Sequence, residues 1–206
     1  MNDDGPEQLC YVANSLYERG YAHGSTGNIS VRVGDEVWVT PTGLPLRGLA
    51  PERLARVDLE GKPLGENRPS KEHPFHTAIY RQRPEARAVV HLHSTYAVAL
   101  SCLADFEGDA SLPPLTPYYF MRVAPLAVLP YFRPGSAGLA AAIERAAASH
   151  HSMLLRNHGL ICAGPSLPEA ADRAEELEQT ARLFFILRNE RTRPLTPSDV
   201  EELRKP

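Results

Sequence analysis

The chain has 206 residues, of which 43% are hydrophobic, enough to bury one sizeable core and to form a single domain over residues 1–206. Its 22 basic and 25 acidic residues are interspersed and leave a formal net charge of -3, so no basic block offers itself to nucleic acid or to a membrane surface. Cys10, Cys102 and Cys162 are far apart with no C-x-x-C pair, which argues against a disulfide framework and for small, buried, apolar roles in a reducing cytoplasm.

The acidic start of the chain lacks the apolar core of a signal peptide, and no apolar run reaches membrane-spanning length. Over residues 7–19, Leu9, Val12, Ala13, Leu16 and Tyr17 recur at helical spacing, and Gly20 is a natural stop. A Gly-rich polar loop follows over 21–28. Ile29, Val31 and Val33 alternate with Ser30 and Arg32; with the turn Gly34-Asp35 and the return over 36–40, they predict a hairpin. A strand at 56–59, a helix at 71–83 with Phe75, Ile79 and Tyr80 inward, a buried strand at 86–93 and a helix at 95–103 come next. The chain then gives a strand at 123–129, an Ala-rich helix at 137–148, and two short strands at 153–155 and 160–162. Pro168 opens a long helix to 187, and 196–204 forms a last short one. Hairpins mixed with helices imply either an α+β chain or an α/β chain in a three-layer α/β/α arrangement, around a mostly antiparallel sheet.

Four groups of residues could carry chemistry. In His91-Leu92-His93 the alternation of a strand puts both imidazoles on one face, where they could share a metal; alone, the pair reads more readily as two partly exposed histidines near a strand end. Asn157-His158-Gly159 lies between two short strands, and the glycine permits a sharp turn that aims a third imidazole inward. Three imidazoles with an open position suit zinc or another divalent transition metal. In Pro69-Ser70-Lys71-Glu72, Ser70 is either a helix N-cap or, with Lys71 and the helix amides, a phosphate donor, and Glu72 is a candidate acid/base. Gly27-Asn28-Ile29-Ser30 and Thr40-Pro41-Thr42-Gly43 flank the hairpin and read as an anion nest or as ordinary turns. His76, four residues after Glu72, is a rival ligand or a packing residue. Tyr118, Tyr119 and Arg122 cluster in a Pro-rich loop, where they anchor the loop, or donate a proton and grip a carboxylate.

Taken in order, these motifs resemble the class II aldolase/adducin family from about residue 7 to 188. The resemblance implies a metal site of His91, His93 and His158, approached by Glu72, which is also the acid/base. It implies phosphate donors at Asn28, Thr42, Gly43 and Ser70 and a homotetramer with sites at subunit boundaries, where Tyr118, Tyr119 or Arg122 would contact the substrate of a neighbouring site; Lys71 either contacts the substrate's phosphate or carboxylate or sits in solvent. L-fuculose-phosphate aldolases and ribulose-phosphate 4-epimerases commonly have a second serine where this chain has Lys71. That position, Thr116-Pro117-Tyr118, Met121-Arg122 and Glu175-Glu176-Leu177-Glu178 are similar to the 3-oxo-tetronate 4-phosphate decarboxylases. The activity implied is metal-dependent decarboxylation of that sugar acid to dihydroxyacetone phosphate through an enediolate. The alternatives are a phosphosugar aldolase or 4-epimerase and, more remotely, a non-catalytic adducin-like interaction domain.

Overall fold

The structure, a computed structural model, describes residues 5–108 and 112–203. The acidic residues 1–4 and the expected end of the last helix at Arg204 lie outside the described residues. Seven strands build one sheet: β1 (Asn28–Val33), β2 (Glu36–Val39), β3 (Ala55–Asp58), β4 (Ala88–Leu92), β5 (Leu126–Leu129), β6 (Ser152–Leu155) and β7 (Gly159–Gly164). Their order is β3-β2-β1-β4-β7-β6-β5, and each neighbouring pair is antiparallel except β5 with β6. The helices are α1 (Pro6–Glu18), α2 (His73–Gln82), α3 (Thr95–Ser101), α4 (Pro117–Arg122), α5 (Ala137–Ala147), α6 (Leu167–Leu187) and α7 (Pro197–Glu202).

Strand alternation decides which helices cover which face. Ile29 and Val31 of β1 and Val90 and Leu92 of β4 point to one side, where Leu9, Ala13 and Leu16 of α1 meet Ala174 and Leu177 of α6. Val89, Met153 and Ile161 point to the other side, under Phe75 and Ile79 of α2 and Leu139 and Ile143 of α5. Each large apolar side chain so buried contributes roughly 1.5–3 kcal/mol. The expected three-layer α/β/α arrangement around a mostly antiparallel sheet is therefore the one found.

Three expectations are corrected. Residues 117–122, read as a loop, form α4: Pro117 occupies its first position, where a missing N–H costs nothing, and Tyr119 is buried. The strand expected from Val123 begins at Leu126, because Pro125 has no N–H to give to a ladder. Cys102, expected to be buried, is exposed, whereas Cys10 and Cys162 are buried; all three are free thiols. Among the described residues, no helix is long and apolar enough to cross a membrane.

Candidate metal centre and its cavity

The site forms where β1, β4 and the start of α2 converge. Asn28 is paired directly with His91 across the β1–β4 ladder, so their side chains share the face that α2 covers. The α2 helix begins at His73, two residues later than expected. Glu72, not Ser70, holds the N-cap position, and Ser70 instead accepts the Glu72 amide at its Oγ (3.3 Å). His93 follows just past the end of β4, with its ring turned to the same side as His91. The turn between β6 and β7 delivers His158, but its left-handed residue is Asn157 (φ 56°), not the glycine. Gly159 serves a different need, since a Cβ there would lie 2.3 Å from the Leu92 carbonyl oxygen.

Glu72, His91, His93 and His158 each present one ligand atom, and the four atoms lie within 4.8 Å of one another. Nε2 of His91 is 3.0 Å from Nε2 of His93 and 3.4 Å from Oε2 of Glu72; Nε2 of His158 is 3.4 Å from Oε1 of Glu72. A carbonyl oxygen only accepts, so His91 Nδ1–H donates to Leu160 O (2.8 Å), which orients the ring with Nε2 facing the cluster. Burial, then the neighbouring His91, pushes His93 down to about 3, and burial likewise pushes His158 down to about 4. Burial opposes the Glu72 charge, but His91, the Asn28 amide and His158 outweigh it and hold the carboxyl well below its usual range. Glu72 Oε1 is buried with no hydrogen-bond partner. Lone pairs and carboxylate oxygens this close repel unless a cation or proton lies among them. The orphaned oxygen and the imidazole-rich donor set fit a divalent transition metal.

The cluster opens into a cavity of about 800 Å³. Thr42, Gly43, Ser70 and Lys71 all line it. Lys71 is the one lysine or arginine among the lining residues. Asn28 also reaches the cavity, but its amide is engaged: Nδ2 donates to Glu72 Oε2 (2.9 Å) and Oδ1 faces His76 Nε2 (2.6 Å). His76, the rival ligand, is thus a fully buried hydrogen-bonding residue; burial pushes it down to about 3 and leaves it neutral. Tyr118 and Arg122 are not brought to this cavity. They lie half-exposed on α4, where Arg122 stacks over Tyr118 and pairs loosely with Asp172 at 3.5 Å.

Sequence reasoning passed over His23, Thr26, Thr95 and Pro134, which also line the cavity. His23 and Thr26 lie in the polar loop after α1, held together by the Thr26 hydroxyl donating to His23 O (2.6 Å), and Gly27 brings that loop against the sheet. At φ +78° Gly27 adopts a conformation other residues resist, and a Cβ would sit 2.9 Å from His91 O. The glycine itself was the available signal.

Comparison with known proteins agrees with this architecture. Residues 7–185 match the model of the Class II Aldolase and Adducin N-terminal domain. The chain is 48% identical to a Haemophilus influenzae protein and 45% identical to one from Escherichia coli K12, both named 3-oxo-tetronate 4-phosphate decarboxylase; each match covers 96% of this chain and 94% of the relative. The crystal structure of YgbL from Escherichia coli superposes with a TM-score of 0.93 at 43% identity over 97% of both chains. An L-fuculose 1-phosphate aldolase superposes at 0.84 with 26% identity over 98% of this chain and 95% of that one. With its motifs, its sheet and nearly its whole length shared, this chain belongs to the class II aldolase and adducin family.

Proposed function

We propose that this chain is a lyase that decarboxylates 3-oxo-tetronate 4-phosphate to dihydroxyacetone phosphate and carbon dioxide. The carrying observation is the cluster of one buried carboxylate and three imidazoles on a polar cavity. The names of the 45–48% identical relatives support the choice of substrate. Thr42, Gly43 and Ser70 are the proposed phosphate donors, joined by the second Nδ2–H of Asn28 that its bond to Glu72 leaves over, and Lys71 offsets charge on a substrate that is anionic at both ends. A divalent metal held by His91, His93 and His158, zinc in the first instance, would supply Lewis-acid polarisation of the C3 carbonyl. The C1–C2 bond breaks, carbon dioxide leaves, and the bonding pair stays on C2 as an enediolate. Glu72, whose Oε1 has no hydrogen-bond partner, takes up a proton from solvent in the cavity and passes it to C2, which completes the product and returns the carboxylate.

The same enediolate serves an aldolase, and relatives 33–36% identical are named L-fuculose phosphate aldolase. Product analysis of metal-loaded protein given 3-oxo-tetronate 4-phosphate separates the two. Release of both dihydroxyacetone phosphate and carbon dioxide, lost on chelation, is expected. No turnover, together with aldol cleavage of a ketose 1-phosphate, would overturn the decarboxylase. Glu72→Gln is expected to lose turnover, and full activity in that variant would remove Glu72 from the chemistry. We also take the protein as a cytoplasmic homotetramer, in which the exposed Tyr118 and Arg122 of α4 reach a neighbouring subunit's cavity. A monomer mass by sedimentation at assay concentration would refute that assembly.

A further inference from the structure

Behind Glu72 runs a line of polar side chains between α2 and β1. Glu72, His76 and Tyr80 are spaced four apart and occupy one face of the helix, while Asn28 and Ser30 are two apart and occupy one face of the strand. That interface would ordinarily be apolar. Instead Ser30 and His76 are fully buried, Tyr80 is 1% exposed and Asn28 is 4% exposed.

The donors and acceptors allow one direction only. Glu72, ionised, accepts, so the Asn28 amide must turn Nδ2 towards Oε2 (2.9 Å) and Oδ1 towards His76 (2.6 Å). Oδ1 also accepts, so the proton of His76 is on Nε2. Its Nδ1 must then accept from the Ser30 hydroxyl (2.8 Å), and Tyr80 closes the line with its single hydroxyl proton, shared between Ser30 O (3.0 Å) and Oγ (2.8 Å). Flipping Asn28 would set its Oδ1 against Glu72 Oε2, oxygen to oxygen, leaving both buried acceptors unpaired at roughly 1–3 kcal/mol each. Only Oε1 is left without a partner, on the side of His158.

We propose that Tyr80, Ser30, His76 and Asn28 form a one-way hydrogen-bond relay that pins Glu72 Oε2 and keeps Oε1 aimed at the reacting centre, with His76 as the positioning residue. The inference rests on the role given to Glu72 above. Its test compares His76→Leu, His76→Gln and Ser30→Ala, with Glu72→Gln alongside, in Co2+-loaded protein, reading kcat, KM, the visible cobalt spectrum and Tm. In His76→Leu, kcat is expected to fall about 10- to 100-fold, the loss typical of disturbing the partners of a metal ligand, while KM stays within about twofold. The cobalt bands should shift, because the carboxylate beside the metal is free to rotate. His76→Gln retains an N–H for Asn28 and should recover most of kcat. If His76→Leu does not fold, Ser30→Ala, which frees the ring tautomer without adding bulk, should show the same pattern at smaller amplitude. An unchanged cobalt spectrum, with activity in all three variants following Tm alone, would reduce the relay to glue between helix and sheet. Normal kcat in His76→Leu beside an inactive Glu72→Gln would overturn the relay and spare Glu72; full activity in Glu72→Gln would overturn the role beneath it.

Discussion

Replacing Gly159 with alanine is predicted to cost stability and metal affinity together. The new Cβ would lie 2.3 Å from the Leu92 carbonyl oxygen and 3.3 Å from His93 Cδ2. That oxygen is backbone, in a strand registered against β7 at Leu92 and Leu160, so it cannot rotate away. Ordinary carbon–oxygen contact requires β4 and β7 to part locally by about 1 Å. Overpacking of this kind costs about 1–3 kcal/mol. At about 2–4 °C of Tm per kcal/mol for a chain of this size, a loss near 2 kcal/mol lowers Tm by about 4–8 °C. His93 and His158 flank the gap, and metal–ligand distances tolerate only about 0.2 Å, so apparent metal affinity should fall about tenfold or more. Thermal melts in chelator report the first effect, and competition with a chromophoric chelator reports the second. A variant that melts within about 1 °C of the parent and binds metal equally well would refute the close approach on which both numbers depend.

Three further outcomes are expected. The Glu178 carboxylate accepts from Ser94 Oγ (2.8 Å), Tyr96 N (2.9 Å) and Ala97 N (2.7 Å) and so caps α3 directly after His93. Glu178→Ala should lose about 2–3 kcal/mol in urea unfolding, and no loss would deny the cap its weight. Zinc at about 100 times its Kd should stabilise the parent by about 2.7 kcal/mol, an increment that His158→Ala abolishes; equal zinc shifts in both would exclude His158 as a ligand. Burial, with Arg173 and Arg83 adding to it, pushes His151 from 6.5 down to about 4. The unfolded chain therefore binds the extra proton between about pH 6.5 and 4, and stability falls as pH falls through that window. His151→Gln should flatten the slope in chelated protein, and an unaltered slope would assign it to other groups.

The hairpin was legible because Gly34-Asp35 sits between two alternating runs, and its register of Val33 with Glu36 is the one such a turn sets. His91, His93 and His158 were legible as types and spacings, but their meeting was not, because β7 lies beside β4 only through pairing across some seventy residues. The α4 helix was missed since Tyr118, Tyr119 and Phe120 are weak helix formers, and packing against α6 decides their state. The Asn28–His76 contact was hidden for a related reason. His76 was placed on the face of Glu72, but nothing local says that β1 would run beneath that face with Asn28 opposite His91.

The position of β7 has a consequence for how the chain is made. Synthesis delivers β4 some seventy residues before β7, and β6 before it as well, yet β7 lies between them. In the ladder β7 is the link between β4 and β6, so without residues 159–164 β4 would keep one edge open and the parallel pair β5–β6 would have no strand pairing with the rest of the sheet. Inserting one strand closes the inner gap between β4 and β6 and brings His158 to the other two histidines, so the step that completes the ladder also assembles the metal-binding geometry and leaves only the outer strands β3 and β5 as edges.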